Sequence, residues 1–214
     1  MSVAETISNR IKHMRKGQPF AGSVFSQVGT RTSVDKALSR LVQEGKLERV
    51  IRGIYMRPKE SKVLGRVRPS PIQVVEAVAR RRREKLQIHG AEAVRRLGIS
   101  TQMQVQTVYY TSGSTREIRV GRAVVRLQHV SSEHLQEAGT RVGVALVALF
   151  YLGRKEASTS VIQRILRSLN REEFRKLQAC SKPEWMQPAL EQAAKDVEWQ
   201  PLISTCQQKT RAAC

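Results

Sequence analysis

The sequence has few of the side chains on which most enzymes and disulfide-stabilised folds depend. Aspartate occurs only at Asp35 and Asp196, and aromatic residues make up 5% of the 214 positions. Metal-dependent nucleases need clustered carboxylates, so this shortage argues against that class. Cys180, Cys206 and Cys214 form neither a C-x-x-C pair nor a zinc pattern with the four histidines. We therefore expect reduced thiols, no metal, no cofactor and a cytoplasmic protein.

Long hydrophobic runs are also missing. The longest strongly apolar run, residues 142–152, is interrupted by Gly143. It falls far short of the roughly 20 residues that a bilayer-spanning helix needs. Residues 1–10 lack the apolar centre of a secretory signal. We expect neither export nor membrane insertion.

Positive charge, in contrast, is abundant. The chain has 38 Lys and Arg against 18 Asp and Glu, which gives a net charge of +20 and a pI near 10.9. Residues 1–68 carry +10, residues 69–137 carry +5 and residues 138–214 carry +5. A hydrophobic content of 40% is enough for a folded core. The excess charge favours a polyanionic partner, and nucleic acid is the first hypothesis.

The first third of the chain has the pattern of a winged helix-turn-helix. Apolar spacing predicts helices over about residues 3–15 and 23–28. A third helix is predicted to open at Thr32, with a weak capping pattern, and to stop at Gly45. Two β-rich runs then flank Arg52-Gly53, which is typical of a tight hairpin whose glycine supplies a positive φ.

A polar face of the third helix and the basic hairpin are the predicted DNA-binding site. Short hydroxyls, an amide and two cations suit a helix in the major groove, and hairpin arginines suit the phosphate backbone. A solvated helix face is the alternative for the helix taken alone. The candidate contacts are Arg31, Thr32, Ser33, Lys36, Ser39, Arg40 and Gln43 on the helix, and Arg49, Arg52 and Arg57 on the hairpin. The run Arg80, Arg81, Arg82 and Arg83 supplies candidate additional phosphate contacts, or only cations that complement a helix end.

Pro69-Ser70-Pro71 indicates a linker, so a domain boundary is predicted near residues 66–69. The expected fold is α/β (α+β): a winged helix over 1–68, then a mixed sheet packed with helices over 69–197. A polar tail over 198–214 is predicted to fray. The predicted strands are 86–89, 105–111, 117–120 and 123–129, and the predicted helices after the linker begin at Ser70 and cover 90–97, 138–152, 160–169, 171–179 and 188–197.

Three other interpretations stay open at this point. An enzyme is weakly suggested by His89 at a strand end with Glu92 nearby, although a structural histidine is the commoner case. RNA binding usually needs exposed aromatic platforms, for which Tyr109-Tyr110 is the candidate. A protein-interaction role is suggested by the run 144–149, which is apolar all round and is therefore buried in the core or in a partner.

Two segments resemble the AbiEi-type antitoxins of type IV toxin–antitoxin systems. Residues 41–55, LVQEGKLERVIRGIY, are similar to the end of that family's winged helix, with its leucine, glycine, leucine, arginine and gly-val-tyr progression. Residues 88–102 and 108–113 are similar to a glycine-alanine-rich helix, a leu-gly-x-ser-thr-gln turn and a strand end in related proteins. The resemblance covers about residues 5–180. The sequence departs from it after Gln102, where the usual proline is missing.

The resemblance implies a function for the whole chain. Members of that family are winged-helix repressors that bind inverted repeats in duplex DNA and regulate their own operon. The resemblance also implies a nucleotidyltransferase-like toxin encoded nearby, which the antitoxin counters without forming a stable complex. We therefore expect a non-enzymatic, sequence-specific DNA-binding antitoxin.

Overall fold

The computed structural model describes residues 2–63, 65–197 and 199. Within these ranges the chain forms two compact units, one inside residues 1–85 and 113–127 and the other inside residues 86–112 and 128–214. The predicted fraying tail lies outside the described residues apart from Trp199, and so do Cys206 and Cys214.

Helices and short strands are mixed along the chain, so the predicted α+β class is confirmed. The helices are α1 (Val3–His13), α2 (Arg31–Gln43), α3 (Pro71–Arg82), α4 (Gly90–Arg96), α5 (Arg141–Glu156), α6 (Thr159–Leu166), α7 (Arg171–Ala179) and α8 (Met186–Ala194), with 3-10 turns at Gly22–Phe25 and Ser132–Leu135. The strands are β1 (Pro19–Ala21), β2 (Glu48–Ile51), β3 (Ile54–Met56), β4 (Lys59–Ser61), β5 (Gly65–Val67), β6 (Leu86–Ile88), β7 (Thr107–Thr111), β8 (Arg116–Val120) and β9 (Ala123–His129).

The N-cap of helix α2 lies two residues earlier than predicted. Thr30 is the N-cap, and its hydroxyl accepts a hydrogen bond from the Ser33 amide at 3.3 Å. The predicted capping role of Thr32 is wrong, because Thr32 lies inside the first turn. Either threonine has a hydroxyl that can cap a helix. Thr30 is the cap because its backbone is extended, as an N-cap requires. The predicted end is confirmed, since Gly45 has a φ of +69° after the last turn.

The predicted hairpin is present and belongs to a three-stranded antiparallel sheet with the order β1-β3-β2. Its turn is Arg52-Gly53, and Gly53 has the expected positive φ of +79°. Strand β1 is absent from the sequence prediction, in which Pro19 and Gly22 are only breaks. It pairs with β3 so that Phe20 lies opposite Tyr55. The second hairpin, β4–β5, is likewise absent from that prediction.

The core of the first unit joins α1 and α2 to this sheet. Ile7, Phe25 and Leu38 are fully buried, and they cluster with Leu47 and Tyr55. Burying each large apolar side chain stabilises the fold by about 1.5–3 kcal/mol. The apolar face of α2 is therefore fixed against the core, and its polar face is directed to solvent.

Helix α3 packs on the same unit. It begins as predicted, with Pro71 in the first turn and the Gln73 side chain accepting from the Ser70 amide at 2.9 Å. Its residues Val74 and Ala77 are buried with Ala21 of β1 and Ile54 of β3. Residues 66–69, where a domain boundary is predicted, therefore lie inside the first unit, whose first segment extends to residue 85.

A hairpin from later in the chain completes the first unit. Strands β8 and β9 pair antiparallel, and Val120 packs against the cluster that holds Val74 and Ile54. Arg116 of β8 makes an ion pair with Glu84, which follows α3. Residues 113–127 thus return to a unit formed mainly by residues before 86.

The second unit has its own core. Strands β6 and β7 pair antiparallel, and helices α4 to α8 contribute to one apolar cluster. Within the apolar run of α5, residues 145–149 are fully buried or nearly so in that cluster. The run is therefore buried in the protein's own core, which is the first of the two alternatives that its sequence allows. Helix α5 has a break at Gly153, whose φ is +61°. Within the described residues, no helix combines the length and apolar character that a bilayer crossing requires.

Candidate nucleic-acid interface

The solvent-exposed face of α2 carries most of the predicted contacts. Val34, Ala37, Leu38 and Leu41 turn into the core. The opposite side chains form one continuous surface that we call the α2 face; it consists of Arg31, Thr32, Asp35, Lys36, Ser39, Arg40 and Gln43. The helical period thus brings together six of the seven residues predicted on this helix and adds one carboxylate, Asp35.

Exposed ion pairs hold two of the cations on the α2 face. Arg40 donates to Glu44 at 3.0 Å, and Lys46 lies 2.8 Å from the same carboxylate. The hydrogen bond from Lys46, followed by that from Arg40, lowers the pKa of Glu44. Arg31 lies 3.9 Å from Asp35. Exposed pairs of this kind contribute little to stability, so either arginine can exchange its partner for another anion at small cost.

Ser33 is the seventh residue predicted on the helix, and it lies apart from the α2 face. Its hydroxyl donates to the Thr30 carbonyl at 2.8 Å and accepts from the Thr30 hydroxyl at 3.0 Å. Its side chain is also close to Gly29 and is only half-exposed. Ser33 therefore stabilises the start of α2.

A groove of about 580 Å³ lies beside α2 and is lined by the β2–β3 hairpin. Arg31 of α2 lines this groove together with Arg49 and Arg52 of the hairpin, and all three are among the candidate DNA contacts. Arg81 of α3 lines it as well. Nothing in the sequence distinguishes Arg81 within the run of four arginines. Ser23 and Ser26 of the 3-10 turn also line the groove, and the sequence prediction does not include them.

The other arginines of that run are placed differently. Arg82 lies 3.7 Å from Glu84. Arg83 is the C-cap of α3, with a left-handed φ of +57°. Arg80 is exposed in the last helical turn. Successive helical residues differ by 100° in direction, which separates these side chains from one another.

Arg57 has a structural partner on α1. Its Nη1 atom donates to the carbonyl oxygens of Lys12 and Met14, each at 2.6 Å. These carbonyls belong to the end of α1, where the last carbonyl groups lack helical partners. A cation there also complements the helix dipole. Arg57 therefore has a role at the end of α1 that the hairpin pattern does not predict, and its DNA contact stays a prediction.

The residues that suggested an enzyme have structural partners too. His89 is the N-cap of α4, where its Nδ1 atom accepts from the Ala91 amide at 3.1 Å. Burial lowers the pKa of His89. Hydrogen bonds from Arg95 and then from Arg96 lower the pKa of Glu92 to about 2. Across the described ranges, no group of three or more His, Cys, Asp or Glu side chains could hold a metal ion.

The two tyrosines of the pair differ in how far they are buried. Tyr110 is 8% exposed, and Tyr109 packs as a partly buried residue against the core of the second unit. RNA recognition through stacked bases needs aromatic faces that are open to solvent. Tyr110 is therefore part of the hydrophobic core, and Tyr109 packs against that core.

Comparison with known proteins gives a family but no function. The chain is similar to a protein of known crystal structure, the RV2827C protein from Mycobacterium tuberculosis, with 12% identity and a TM-score of 0.38 over 90% of this chain and 78% of that one. Among curated proteins, no sequence matches the chain. A family model described as a family of unknown function (DUF6088) matches residues 6–177. Since this match covers most of the sequence, the chain belongs to the DUF6088 family.

Proposed function

We propose that the first unit contains a winged helix-turn-helix that binds duplex DNA. The observation that carries this proposal is the α2 face, which presents cations and short polar groups to solvent next to the basic β2–β3 hairpin. In a winged helix, α2 would be the recognition helix and the hairpin the wing. The 3-10 turn Gly22–Phe25 would be the first helix of the helix-turn-helix.

The proposed roles follow from side-chain chemistry. Lys36 and Arg40 can donate to the guanine acceptors of the major groove. Thr32, Ser39 and Gln43 supply shorter hydrogen-bonding groups on the same exposed surface. Arg49 and Arg52 are exposed on the hairpin and are suited to the phosphate backbone. Asp35 is the one acid on the α2 face, and it would disfavour close phosphate approach at its position.

We further propose that the protein represses its own operon and acts as a type IV antitoxin. This step rests on the resemblance of residues 41–55 and 88–113 to AbiEi-type antitoxins. The partners would be an operator with inverted repeats and a nucleotidyltransferase-like toxin encoded nearby. The antitoxin part is tested separately by co-expressing that toxin with this protein. Growth arrest that the protein does not relieve would refute the antitoxin role and leave DNA binding intact.

Arg40→Ala tests base recognition by α2. We expect it to weaken binding to the cognate duplex by about 1–3 kcal/mol and to change binding to a random duplex much less, because a base contact is sequence-specific. Fluorescence anisotropy of the full chain with both duplexes measures the difference. Arg52→Ala is the comparison, since loss of a phosphate contact weakens both duplexes alike. If Arg40→Ala lost the same affinity for both duplexes, Arg40 would not be a residue that recognises a base.

A further inference from the structure

The tip of the β2–β3 hairpin is a meeting point for three parts of the first unit. The Gly53 carbonyl accepts a hydrogen bond from the Gly22 amide at 3.0 Å, which connects the tip to the 3-10 turn. The guanidinium of Arg81, from α3, lies against Gly53 on the side where a side chain would begin. A Cβ atom at residue 53 would overlap this guanidinium. The lack of a side chain at Gly53 thus allows both the positive φ of the turn and the close approach of Arg81.

The groove at this tip has a strong excess of positive charge. Four arginines line it, namely Arg31, Arg49, Arg52 and Arg81, against one carboxylate, Asp35. Two serines of the 3-10 turn add short hydrogen-bonding groups. Guanidinium groups bind phosphate through paired N–H donors. Several guanidinium groups around one groove suit a phosphate group, whose charge is spread over its oxygen atoms, better than they suit a single carboxylate.

We infer that Arg81 is a DNA-binding residue that, together with Arg52, holds a backbone phosphate at the hairpin tip. The inference rests on the proposed function, and it extends the DNA interface beyond the α2 face and the hairpin to helix α3. Because α3 is packed in the core through Val74 and Ala77, the helix backbone that carries Arg81 is already fixed before DNA binds. Binding then has to order only the side chain and not the backbone, which lowers its entropic cost.

The position of Arg81 argues against a role limited to the helix dipole. A cation in the last turn of α3 complements the dipole wherever its side chain points, and Arg80 and Arg82 occupy the same turn. Only Arg81 of these three lines the groove and covers Gly53. The direction of the Arg81 side chain adds nothing to the interaction with the helix dipole. This direction does place the guanidinium in the same groove as the hairpin arginines.

The test is Arg81→Ala in the full chain, with Arg68→Ala as the charge-matched control. Arg68 is an exposed cation of the same unit and does not line the groove. Binding to the DNA upstream of the protein's own reading frame, and to a random duplex, is measured over a series of salt concentrations. We expect Arg81→Ala to weaken both duplexes by roughly tenfold and to reduce the slope of log K against log salt by about one. Arg68→Ala should leave the slope unchanged.

Phosphate ethylation interference locates the contact. On the upstream DNA, Arg81→Ala should lose sensitivity at one phosphate in each half-site and keep the rest of the pattern. Gly53→Asn should produce the same loss, since asparagine tolerates a positive φ while its Cβ displaces Arg81. Combining Gly53→Asn with Arg81→Ala should then weaken binding no further than Arg81→Ala alone.

The outcomes separate this inference from the proposed function. If the wild-type chain binds neither duplex, both fail. If the wild-type chain binds the upstream duplex but Arg81→Ala and Arg68→Ala have equal slopes and equal ethylation patterns, only the role of Arg81 is refuted. A wild-type preference for single-stranded RNA of the same length would assign the groove to a different ligand and overturn the inference. Circular dichroism and thermal unfolding of each variant confirm that it is folded.

Discussion

Arg57→Ala separates a structural arginine from the arginines of the same hairpin region that we propose to contact DNA. Arg57 donates two 2.6 Å hydrogen bonds, to the carbonyls of Lys12 and Met14 at the end of α1. A hydrogen bond from a charged donor contributes about 1.5–3 kcal/mol where it is shielded from water. The Met14 contact is partly buried and the Lys12 contact is exposed, so water can replace much of the second.

The expected loss is therefore about 2 kcal/mol in the free energy of unfolding, nearly all of it from the Met14 contact and the helix end. Urea unfolding followed by circular dichroism measures this loss as a lower midpoint with an unchanged m value. Under conditions where the variant is folded, its affinity for the upstream duplex should stay within about twofold of wild type, because the guanidinium is directed to α1.

Arg52→Ala is the matched control, since it removes the same charge from the exposed turn of the hairpin. We expect it to weaken DNA binding and to change stability by less than about 0.5 kcal/mol. The reasoning is refuted if Arg57→Ala unfolds at the wild-type urea concentration and loses as much DNA affinity as Arg52→Ala. Arg57 would then belong to the interface, as the hairpin pattern alone predicts.

Two further predictions concern stability. Thr30→Ala should lower the free energy of unfolding by about 1 kcal/mol and Thr32→Ala by much less, because Thr30 caps α2 and Thr32 does not; a larger effect at Thr32 in urea unfolding would restore it as the cap. Glu92→Gln should destabilise the chain near neutral pH, since the two arginine hydrogen bonds depress the pKa of Glu92 from its ordinary 4.5 to about 2. A depressed carboxyl pKa stabilises the folded state above pH 4.5 and loses this effect as the pH falls toward 2. The difference in urea midpoint between variant and wild type should therefore narrow over that interval, and a constant difference would contradict the ion-pair explanation.

Local signals in the sequence are sufficient to predict much of the first unit. The apolar spacing of α2, the stop at Gly45 and the turn at Arg52-Gly53 depend on neighbouring residues and the backbone angles they allow. The same is true of the start of α3, which Pro71 and Gln73 define. The α2 face follows from this helical period, so most of the candidate site is predictable from the order of its residues alone.

Interactions between distant residues could not be predicted in this way. Strand β1 is only three residues long and becomes a strand by pairing with β3, more than 30 positions later in the chain. Arg57 looks like its neighbours Arg49 and Arg52 in the sequence, and only the position of α1 distinguishes it. Arg81 is likewise one of four successive arginines until the packing of α3 directs it to Gly53. In each case the deciding contact is tertiary.

The most direct test of DNA recognition by the first unit is the affinity of the wild-type chain for two duplexes. One duplex covers the DNA upstream of its own reading frame, and the other has the same composition in scrambled order. We predict that the upstream duplex is bound at least about a thousandfold more tightly at physiological salt. The logarithm of the binding constant should fall linearly with log salt for both, because phosphate contacts contribute to both complexes. Equal affinity for the two duplexes would contradict sequence-specific recognition by the α2 face.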